Sequence, residues 1–239
     1  MKIVTCIVAA GQGTRLGDEF DNLPKSLVPV LGRPMLYYSL AAFDSIDSLD
    51  SFVAAVPPSD QEKFRSLLKA WGFSHKVNLV DGGDTRAESV RNTLKAIREN
   101  PPDIVLIHDA ARACVSIELI EDLIDISAGK FAAVPAHAAV DTLRMHDGDK
   151  ITGELDRSNI ACLETPQLFP YAKLLELHEN ASGGDEYTDD TTLFTRAGED
   201  VKVLLHDDSN MKITRPEDIS AAEGILYGRG WVDANEEED

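Results

Sequence analysis

Residues 7–15 read Ile-Val-Ala-Ala-Gly-Gln-Gly-Thr-Arg, and a Pro24-Lys25 step follows nine residues after Arg15. The apolar run from Ile3 to Ala10 predicts a buried strand, and the small residues at its end let the backbone come close to a flat ligand. The loop glycines expose N–H groups that bind anionic oxygens. Arg15 adds a bidentate fork and Lys25 a mobile point charge, both of the sign that a triphosphate needs. The stretch therefore predicts a strand followed by a nucleotide-binding loop.

Two other phosphate-binding loops share part of this pattern. Gly11, Gly13 and Gly17 have a loose dinucleotide-binding spacing, but such a site places an acid at the end of the second strand, where this chain reads Val56-Pro57-Pro58. A Walker loop needs a lysine directly after glycine, whereas Lys25 follows a proline. A strand-to-helix turn with a solvated arginine stays open as the simplest alternative.

The composition predicts one sizeable domain in an acidic protein. With 239 residues, of which 43% are hydrophobic, the chain can bury a substantial core. Its net charge of −19 disfavours nucleic acid and anionic membranes as partners, since both need a cationic surface. The apolar runs are strand-length and no charged-then-apolar leader opens the chain, so we expect a cytoplasmic location without membrane contact. Cys6, Cys114 and Cys162 are too dispersed for a disulfide framework or a structural zinc site.

Strand-like and helix-like patterns alternate along most of the chain, which is typical of an α/β fold with a mostly parallel sheet flanked by helices. One interruption, Val140 to Leu155, reads as two short strands around Asp147-Gly148, a strong hairpin signal. A lone hairpin is marginally stable in water, so we expect it to pack against its own domain or a second copy of the chain. The predicted organisation is a single domain over residues 1–230 with a β-arm at about 138–157, followed by an acidic tail over 231–239.

Polar and charged residues stand where the predicted strands end. After the third strand, the pair Gly82-Gly83 permits close backbone approach, and Asp84 and Ser89 either cap the next helix or bind a ligand. Asp109 follows the fourth strand as an acid suited to a metal or a ribose, and Arg112 follows as a cation suited to phosphate. Because ligands bind at the carboxyl ends of strands in open α/β sheets, we expect these groups to converge.

A later lysine is also a candidate. Lys212 stands between the apolar residues Met211 and Ile213, which predicts that its side chain leans inward from an anchored segment. An exposed lysine is the simpler alternative. None of the six histidines has a serine or cysteine partner at a spacing that indicates a triad, so we expect them to be structural.

Seven segments carry a resemblance to a known family. In chain order they are VAAGQGTRLG, PKS, VDGGDTRAESV, HDAAR, TPQLF, TDD and NMKITRPED. This set resembles the 2-C-methyl-D-erythritol 4-phosphate cytidylyltransferase family over nearly the whole chain. The resemblance implies a Rossmann-like nucleotidyltransferase fold and transfer of the CMP moiety of CTP to a polyol phosphate. It also implies a Mg²⁺ cofactor and a homodimer formed through the protruding β-arm.

The resemblance also implies residue roles. It makes Arg15 and Lys25 transition-state stabilisers, and it has Arg157 and Lys212 position the polyol phosphate. Asp109 is a candidate metal ligand, with Mg²⁺ held mainly by the triphosphate. The expected CTP-binding residues are Ala9, Ala10, Gly11, Gly13, Gly83, Asp84 and Ser89. The expected polyol phosphate-binding residues are Asp109, Arg112, Thr142, Thr165 and Thr188.

Departures from the family pattern leave a related activity open. Ser26 stands where the family usually has glutamine, Ala113 where it usually has proline, and Asp190 where glutamate is common. The loop between Arg15 and Pro24 is also a few residues longer than is typical. Ribitol-5-phosphate cytidylyltransferase, which resembles this family closely, is therefore the first alternative. A sugar-1-phosphate nucleotidyltransferase and a non-catalytic nucleotide-binding module are more remote alternatives.

Overall fold

The computed structural model describes residues 1–13, 16, 20, 23–181, 187, 189–207 and 209–234. The strands, numbered along the chain, are β1 (Ile3–Val8), β2 (Pro29–Val30), β3 (Arg33–Pro34), β4 (Ser51–Val56), β5 (Val77–Asp81), β6 (Ile104–Asp109), β7 (Ala132–Ala138), β8 (Arg144–Asp147), β9 (Lys150–Glu154), β10 (Ala161–Leu163), β11 (Gln167–Pro170) and β12 (Val201–Leu205). The α-helices are α1 (Met35–Asp44), α2 (Gln61–Ala70), α3 (Arg86–Ala96), α4 (Ile117–Ser127), α5 (Tyr171–Asn180), α6 (Thr191–Arg196) and α7 (Glu217–Gly228).

One sheet organises the described residues. Eight strands form it in the order β10-β7-β11-β6-β1-β4-β5, with β12 paired to β7. The β1, β4, β5 and β6 strands pair in parallel, and β12 is parallel to β7. β11 runs antiparallel to β6 and β7, and β10 runs antiparallel to β7. The prediction of a mostly parallel sheet is confirmed, with two reversed strands that the sequence pattern did not reveal.

The segment 164–167 separates two short strands. Glu164, Thr165 and Pro166 lie between β10 and β11, and Gln167 opens β11. Pro166 has no backbone N–H and cannot donate to a strand ladder, so the ladder is interrupted at this point. The chain then re-enters the sheet between β6 and β7.

Helices cover both faces of the sheet. One apolar cluster packs alternate β1 and β6 residues, such as Ile7 and Leu106, against α1, α2 and α4. The intervening residues, such as Cys6 and Ile107, face a second cluster with α3, α5 and α6. Strand side chains alternate between faces, so a strand buried on both sides is apolar at nearly every position. This explains the continuous apolar runs of β1 and β6.

The start of α3 excludes one of the two alternatives for Asp84 and Ser89. Neither Asp84 nor Ser89 caps this helix; Thr85 does so, accepting from the Glu88 N–H while Glu88 reaches back to the Thr85 N–H. Such a capping box satisfies two helix N–H groups that have no partner within the helix. Ser89 is left to accept from the Gly83 N–H at 3.1 Å and to donate to the Thr85 carbonyl at 3.0 Å.

The predicted β-arm is present as a separate two-stranded sheet of β8 and β9. Its tight turn is Gly148-Asp149, one residue later than the sequence indicated, because Asp147 pairs with Lys150. Gly148 has φ +57°, a conformation that glycine adopts without a steric penalty. Within the described ranges, no helix has the length and apolar character that crossing a membrane requires.

Packing against the domain continues past residue 230. The Trp231 ring lies edge-on to Tyr38, with ring centroids 4.9 Å apart. Arg33 donates to the Val232 carbonyl at 3.1 Å, and the Ala234 N–H donates to the Leu31 carbonyl at 3.2 Å. The first residues of the expected tail, 231–234, are therefore bound to the domain, and the acidic residues 235–239 lie outside the described residues.

Candidate active site

A cavity of about 710 Å³ opens where β1, β4, β5 and β6 end. Its walls come from residues 9–13, 57–59, 82–86 and 109–111, which follow or end those four strands. The lining is completed by Val8, Lys25, Ser26, Ser89, Lys212 and Thr214. The carboxyl ends of parallel strands share one edge of the sheet, so the predicted convergence of strand-end residues occurs here.

Main-chain atoms form the narrow part of the cavity. A Cβ atom built on Gly82 would lie 2.2 Å from the Ala10 Cβ, so only glycine fits there without displacing the opposite wall. The Gly82 N–H donates to the Val56 carbonyl at 2.8 Å, and the Ala9 N–H donates to the Ala55 carbonyl at 2.8 Å. Both segments are thus tied to β4, and together they form the narrow end of the cavity, which we call the slot.

Lys25 is fixed beside the glycine loop by main-chain contacts. Its N–H donates to the Gly11 carbonyl at 2.9 Å, and a Cβ on Gly13 would lie 3.1 Å from the Lys25 Cβ. Ser26, one of the departures from the family pattern, is buried and donates through Oγ to the Ala9 carbonyl at 2.9 Å. The serine therefore anchors the lysine segment to the end of β1.

A row of alternating charges runs from the cavity into the interior, and we call it the charge array. Lys212 Nζ donates to Asp109 Oδ2 at 2.6 Å, and Asp109 Oδ1 accepts from Arg86 Nε at 2.9 Å. Arg86 Nη1 donates to Asp190 Oδ2 at 2.7 Å, and Asp190 Oδ1 lies 2.9 Å from His178 Nε2. The five residues come from five separate segments and meet only in the folded chain.

The electrostatics of the charge array keep its carboxyl groups ionised. Burial works to raise the pKa of Asp109, but the charges of Arg86 and Lys212 outweigh it and hold that pKa well below its ordinary value. Burial likewise works to raise the pKa of Asp190, and Arg86 with His178 lowers it overall. Two carboxylates and two cations therefore balance each other at neutral pH.

The structure brings most of the predicted site residues together. Those that line the cavity are Ala9, Ala10, Gly11, Gly13, Lys25, Gly83, Asp84, Ser89, Asp109 and Lys212. The inward lean predicted for Lys212 is confirmed, since its neighbour Ile213 is buried and its Nζ binds Asp109. Arg15 and Thr188 lie outside the described residues.

Four predicted residues lie away from the cavity. Arg112 donates to the carbonyls of Asn210 and Leu163, at 2.6 and 3.3 Å. Thr165 is buried behind Asp109 and accepts from its N–H at 3.0 Å. Thr142 and Arg157 are exposed at the β-arm, where Arg157 donates to the Val140 carbonyl at 2.7 Å. Within one chain, the cavity and the arm residues are thus not assembled into one site.

Sequence reasoning assigned no role to Arg86, which lines the cavity and joins two buried carboxylates. One signal was available. Arg86 is the first residue of α3, where the helix dipole disfavours a cation, so an arginine there indicates a specific anionic partner. Gly82 was noted only as part of a glycine pair, and its contact with Ala10 depends on the fold.

The histidines were expected to be structural, and His108 shows how one of them serves the fold. Burial lowers its pKa to about 3, so the ring is neutral at physiological pH. Its ring nitrogens lie 3.3 Å from Ser39 Oγ and 3.2 Å from Thr165 Oγ1. The ring links α1 to the residue that supports the Asp109 backbone.

Comparisons with known proteins identify the family of the chain. The family model for 2-C-methyl-D-erythritol 4-phosphate cytidylyltransferase matches residues 3–228. The enzyme of that name from Geobacillus thermodenitrificans is 36% identical over 230 residues, covering 96% of this chain and 99% of the relative. The enzyme of that name from Chlorobaculum parvum is 33% identical over 239 residues, covering 95% of this chain and 97% of the relative.

A solved structure shows the same architecture. The 4-diphosphocytidyl-2C-methyl-D-erythritol synthase from Anaerococcus prevotii superposes with a TM-score of 0.81 at 28% identity, covering 95% of this chain and 96% of that one. The matched length leaves little of either chain unaccounted for. The chain therefore belongs to the 2-C-methyl-D-erythritol 4-phosphate cytidylyltransferase family and is a nucleotidyltransferase.

Proposed function

We propose that the protein transfers the CMP moiety of CTP to 2-C-methyl-D-erythritol 4-phosphate. The products are 4-CDP-2-C-methyl-D-erythritol and pyrophosphate, on the non-mevalonate route to isoprenoid precursors. The observation that carries this proposal is a main-chain slot at Ala10 and Gly82 that opens beside the cations Lys25, Arg86 and Lys212. Nothing in the comparisons favours ribitol 5-phosphate as the acceptor.

The slot supports the choice of a pyrimidine nucleotide. Its walls are held by the hydrogen bonds of Gly82 and Ala9 to β4, and these bonds oppose any separation of the walls. A purine is larger than cytosine, so binding it would require the walls to separate. Backbone groups at Ala9 and Gly83, with the Ser89 side chain near them, offer the donors and acceptors that a base edge and a ribose need.

The reaction is an in-line attack of a substrate phosphate oxygen on the α-phosphorus of CTP. The new P–O bond forms as the bond to pyrophosphate breaks, and the leaving group carries the developing charge away. A phosphate monoester is already ionised near neutral pH, so no side chain has to remove a proton. Positioning and charge stabilisation then supply the catalysis.

Two cations are assigned to the triphosphate. Lys25 lines the cavity from a segment held by Gly11 and by the Ser26 anchor, and this supports a role as a point charge for the developing negative charge. Arg15, from the same loop, is proposed as its partner on the basis of the family resemblance. Lys212 also lines the cavity, where it is bound to Asp109, and it is proposed to hold the phosphate of the acceptor.

Nucleotidyltransferases commonly use a divalent metal, and Mg²⁺ is our proposal for this chain. Among the described residues, no group of three His, Cys, Asp or Glu side chains could hold a metal. Mg²⁺ does not need one, because it keeps several waters and binds through one or two carboxylates together with substrate phosphates. Asp109 fits the role of that carboxylate, since each of its oxygens retains a lone pair beside its bond to Arg86 or Lys212. When bound, the metal neutralises triphosphate charge.

We also propose a homodimer in which the β-arm of one subunit completes the site of the other. The β8–β9 sheet is separate from the main sheet, and Met145 and Ile151 on it are exposed. A lone hairpin is marginally stable, so a partner surface would stabilise it. Thr142 and Arg157 do not line the cavity of their own chain, which supports their action in the partner's cavity under a two-fold arrangement.

A pyrophosphate-release assay tests the proposed function. It crosses CTP, UTP, ATP and GTP with methylerythritol 4-phosphate and ribitol 5-phosphate, with and without Mg²⁺. We expect turnover with CTP and methylerythritol phosphate and little with the other pairs. Equal turnover with GTP would contradict the nucleotide assignment, and a preference for ribitol phosphate would contradict the acceptor.

A further inference from the structure

The charge array leads from the cavity to a fully buried pair. In the order of the array, the exposed fraction of the side chain is 42% at Lys212, 11% at Asp109, 21% at Arg86 and 0% at both Asp190 and His178. Three members line the cavity, whereas Asp190 and His178 do not. Among the described residues, the contact that joins this buried pair to the lining of the cavity is the ion pair between Asp190 and Arg86.

Stability alone gives a weak account of this arrangement. Removing a charge from water costs several kcal/mol, and well-packed apolar side chains of similar volume often stabilise a fold as well as a buried ion pair does. Asp190 is nonetheless held between two fixed partners on α3 and α5, Arg86 and His178. Such a geometry restrains the direction of the Arg86 guanidinium, because its planar fork can meet both carboxylates only in one plane.

The hydrogen bonds define the state of His178. The ionised Asp190 carboxylate only accepts, so His178 Nε2 carries a proton and donates to it. His178 Nδ1 lies 3.1 Å from the Tyr187 hydroxyl, which can donate to a neutral ring. A chain of donors thus runs from Tyr187 through His178 to Asp190 and fixes the carboxylate from behind.

We infer that Asp190, supported by His178, is a positioning residue for the acceptor phosphate. It acts by holding Arg86 across the gap to Asp109, which leaves Asp109 Oδ2 to orient the Lys212 ammonium. Without the Asp190 charge, Arg86 turns toward Asp109 with both arms of its fork and displaces Lys212. This inference rests on the proposed function for the role of Lys212, and it assigns a role to residues that touch neither substrate.

The substitution Asp190→Asn tests the inference because it keeps the shape and removes the charge. The matched control is Asp189→Asn, which makes the same change one residue earlier. Asp189 accepts from Thr192 N and Thr191 Oγ1 at the start of α6, and no bond links it to the charge array. Thermal unfolding of both variants establishes that each is folded before kinetics are compared.

For Asp190→Asn we expect kcat/KM for methylerythritol 4-phosphate to fall about 10- to 100-fold, the range that small misplacements in an active site produce. The Kd of CTP, measured by calorimetry, should stay within about threefold of wild type, since the slot at Ala10 and Gly82 is not part of the array. Asp189→Asn should match wild type in both. A folded Asp190→Asn protein with unchanged kcat/KM, or one that loses CTP affinity to the same extent, overturns the inference.

A second pair keeps the test decisive if Asp190→Asn does not fold. His178→Gln retains an N–H donor for Asp190, whereas His178→Leu does not. We expect the glutamine variant to exceed the leucine variant in kcat/KM for the acceptor, with equal CTP affinity. Equal acceptor kinetics in the two variants would refute the support role of His178 and the inference with it.

A chemical readout separates this inference from the proposed function. The rate of reductive methylation at Lys212, followed by mass spectrometry, should rise at least about threefold in Asp190→Asn or His178→Leu, because an amine released from its hydrogen bond to Asp109 Oδ2 is more accessible to the reagent. The rate at Lys69, on the surface helix α2, should not change. If wild type releases no pyrophosphate, the proposed function fails, yet the Lys212 rate still decides whether Asp190 positions this lysine.

Discussion

Replacing Arg86 by leucine removes the centre of the charge array without changing the number of buried carboxylates. Arg86 makes ion pairs of 2.9 Å to Asp109 and 2.7 Å to Asp190. The Asp109 side chain is 11% exposed and the Asp190 side chain 0%. In Arg86→Leu, Asp109 keeps only Lys212, and Asp190 keeps only His178. Two buried carboxylates are then each left with one partner.

The expected loss follows from what an unpaired buried charge costs. Removing one member of a buried ion pair lowers the free energy of unfolding by about 3–5 kcal/mol, because the remaining charge stays desolvated. In a protein of this size, about 1 kcal/mol shifts the melting temperature by roughly 2–4 °C, so a decrease of the order of 10 °C is expected at pH 8. The control Arg65→Leu breaks an exposed pair with Glu62, in which Arg65 is 59% exposed. Arg65→Leu should lower the free energy of unfolding by at most about 1 kcal/mol.

The pH dependence has a definite sign. In wild type the pKa of Asp109 and Asp190 lies below the ordinary value, so their ion pairs stabilise the fold at all pH values above about 3.9 and weaken only as pH falls through the folded pKa. In Arg86→Leu, burial raises these pKa values instead. A group with a raised pKa stabilises the fold below its unfolded pKa and loses that contribution as pH rises. The free energy of unfolding of Arg86→Leu should therefore lie further below that of wild type at pH 8 than at pH 5.5.

Urea unfolding of wild type, Arg86→Leu and Arg65→Leu at pH 5.5 and pH 8 measures these quantities. Equal destabilisation of the two variants, or a deficit of Arg86→Leu that grows as pH falls, would refute the reasoning from burial and pairing.

Three further outcomes follow from the site. Lys25→Ala should slow single-turnover transfer about 10²- to 10³-fold, because a cation facing developing charge acts mainly in the transition state. The Kd of CTP should change little. Weakened CTP binding with an unchanged rate would contradict this role. Gly82→Ala should weaken CTP binding, measured by calorimetric titration, about tenfold or more, because the new Cβ would meet the Ala10 Cβ at 2.2 Å. The control is Gly224→Ala, because a Cβ at Gly224 would have no neighbour within 4 Å. Mixed dimers of Arg157→Ala and Lys25→Ala subunits should recover about half of wild-type activity, since one of their two sites carries neither change. If the mixed dimers are as inactive as the two variant homodimers, Arg157 acts in its own chain.

Much of the site's location could be predicted from the sequence. The alternation of apolar strands and amphipathic helices indicates a mostly parallel sheet, and parallel strands place all their carboxyl ends along one edge. Gly11, Gly83 and Asp109 follow or end different strands, so their convergence on one cavity follows from the order of elements alone. The β-arm was also visible locally, because alternation around a glycine turn is a short-range signal.

The pairings within and around the cavity depend on the tertiary structure. Arg86 is 23 residues from Asp109 and 104 residues from Asp190, and no local pattern connects residues at such separations. The placement of Thr165 behind Asp109 depends on β11 entering the sheet antiparallel beside β6, and the short strands around Pro166 carry too little periodicity to show it. The sequence by itself thus determines which edge of the sheet binds a ligand, since strand direction sets it. Which buried charges meet there is decided only when distant segments pack, because the free energy of a buried ion pair depends on the geometry and burial of both partners.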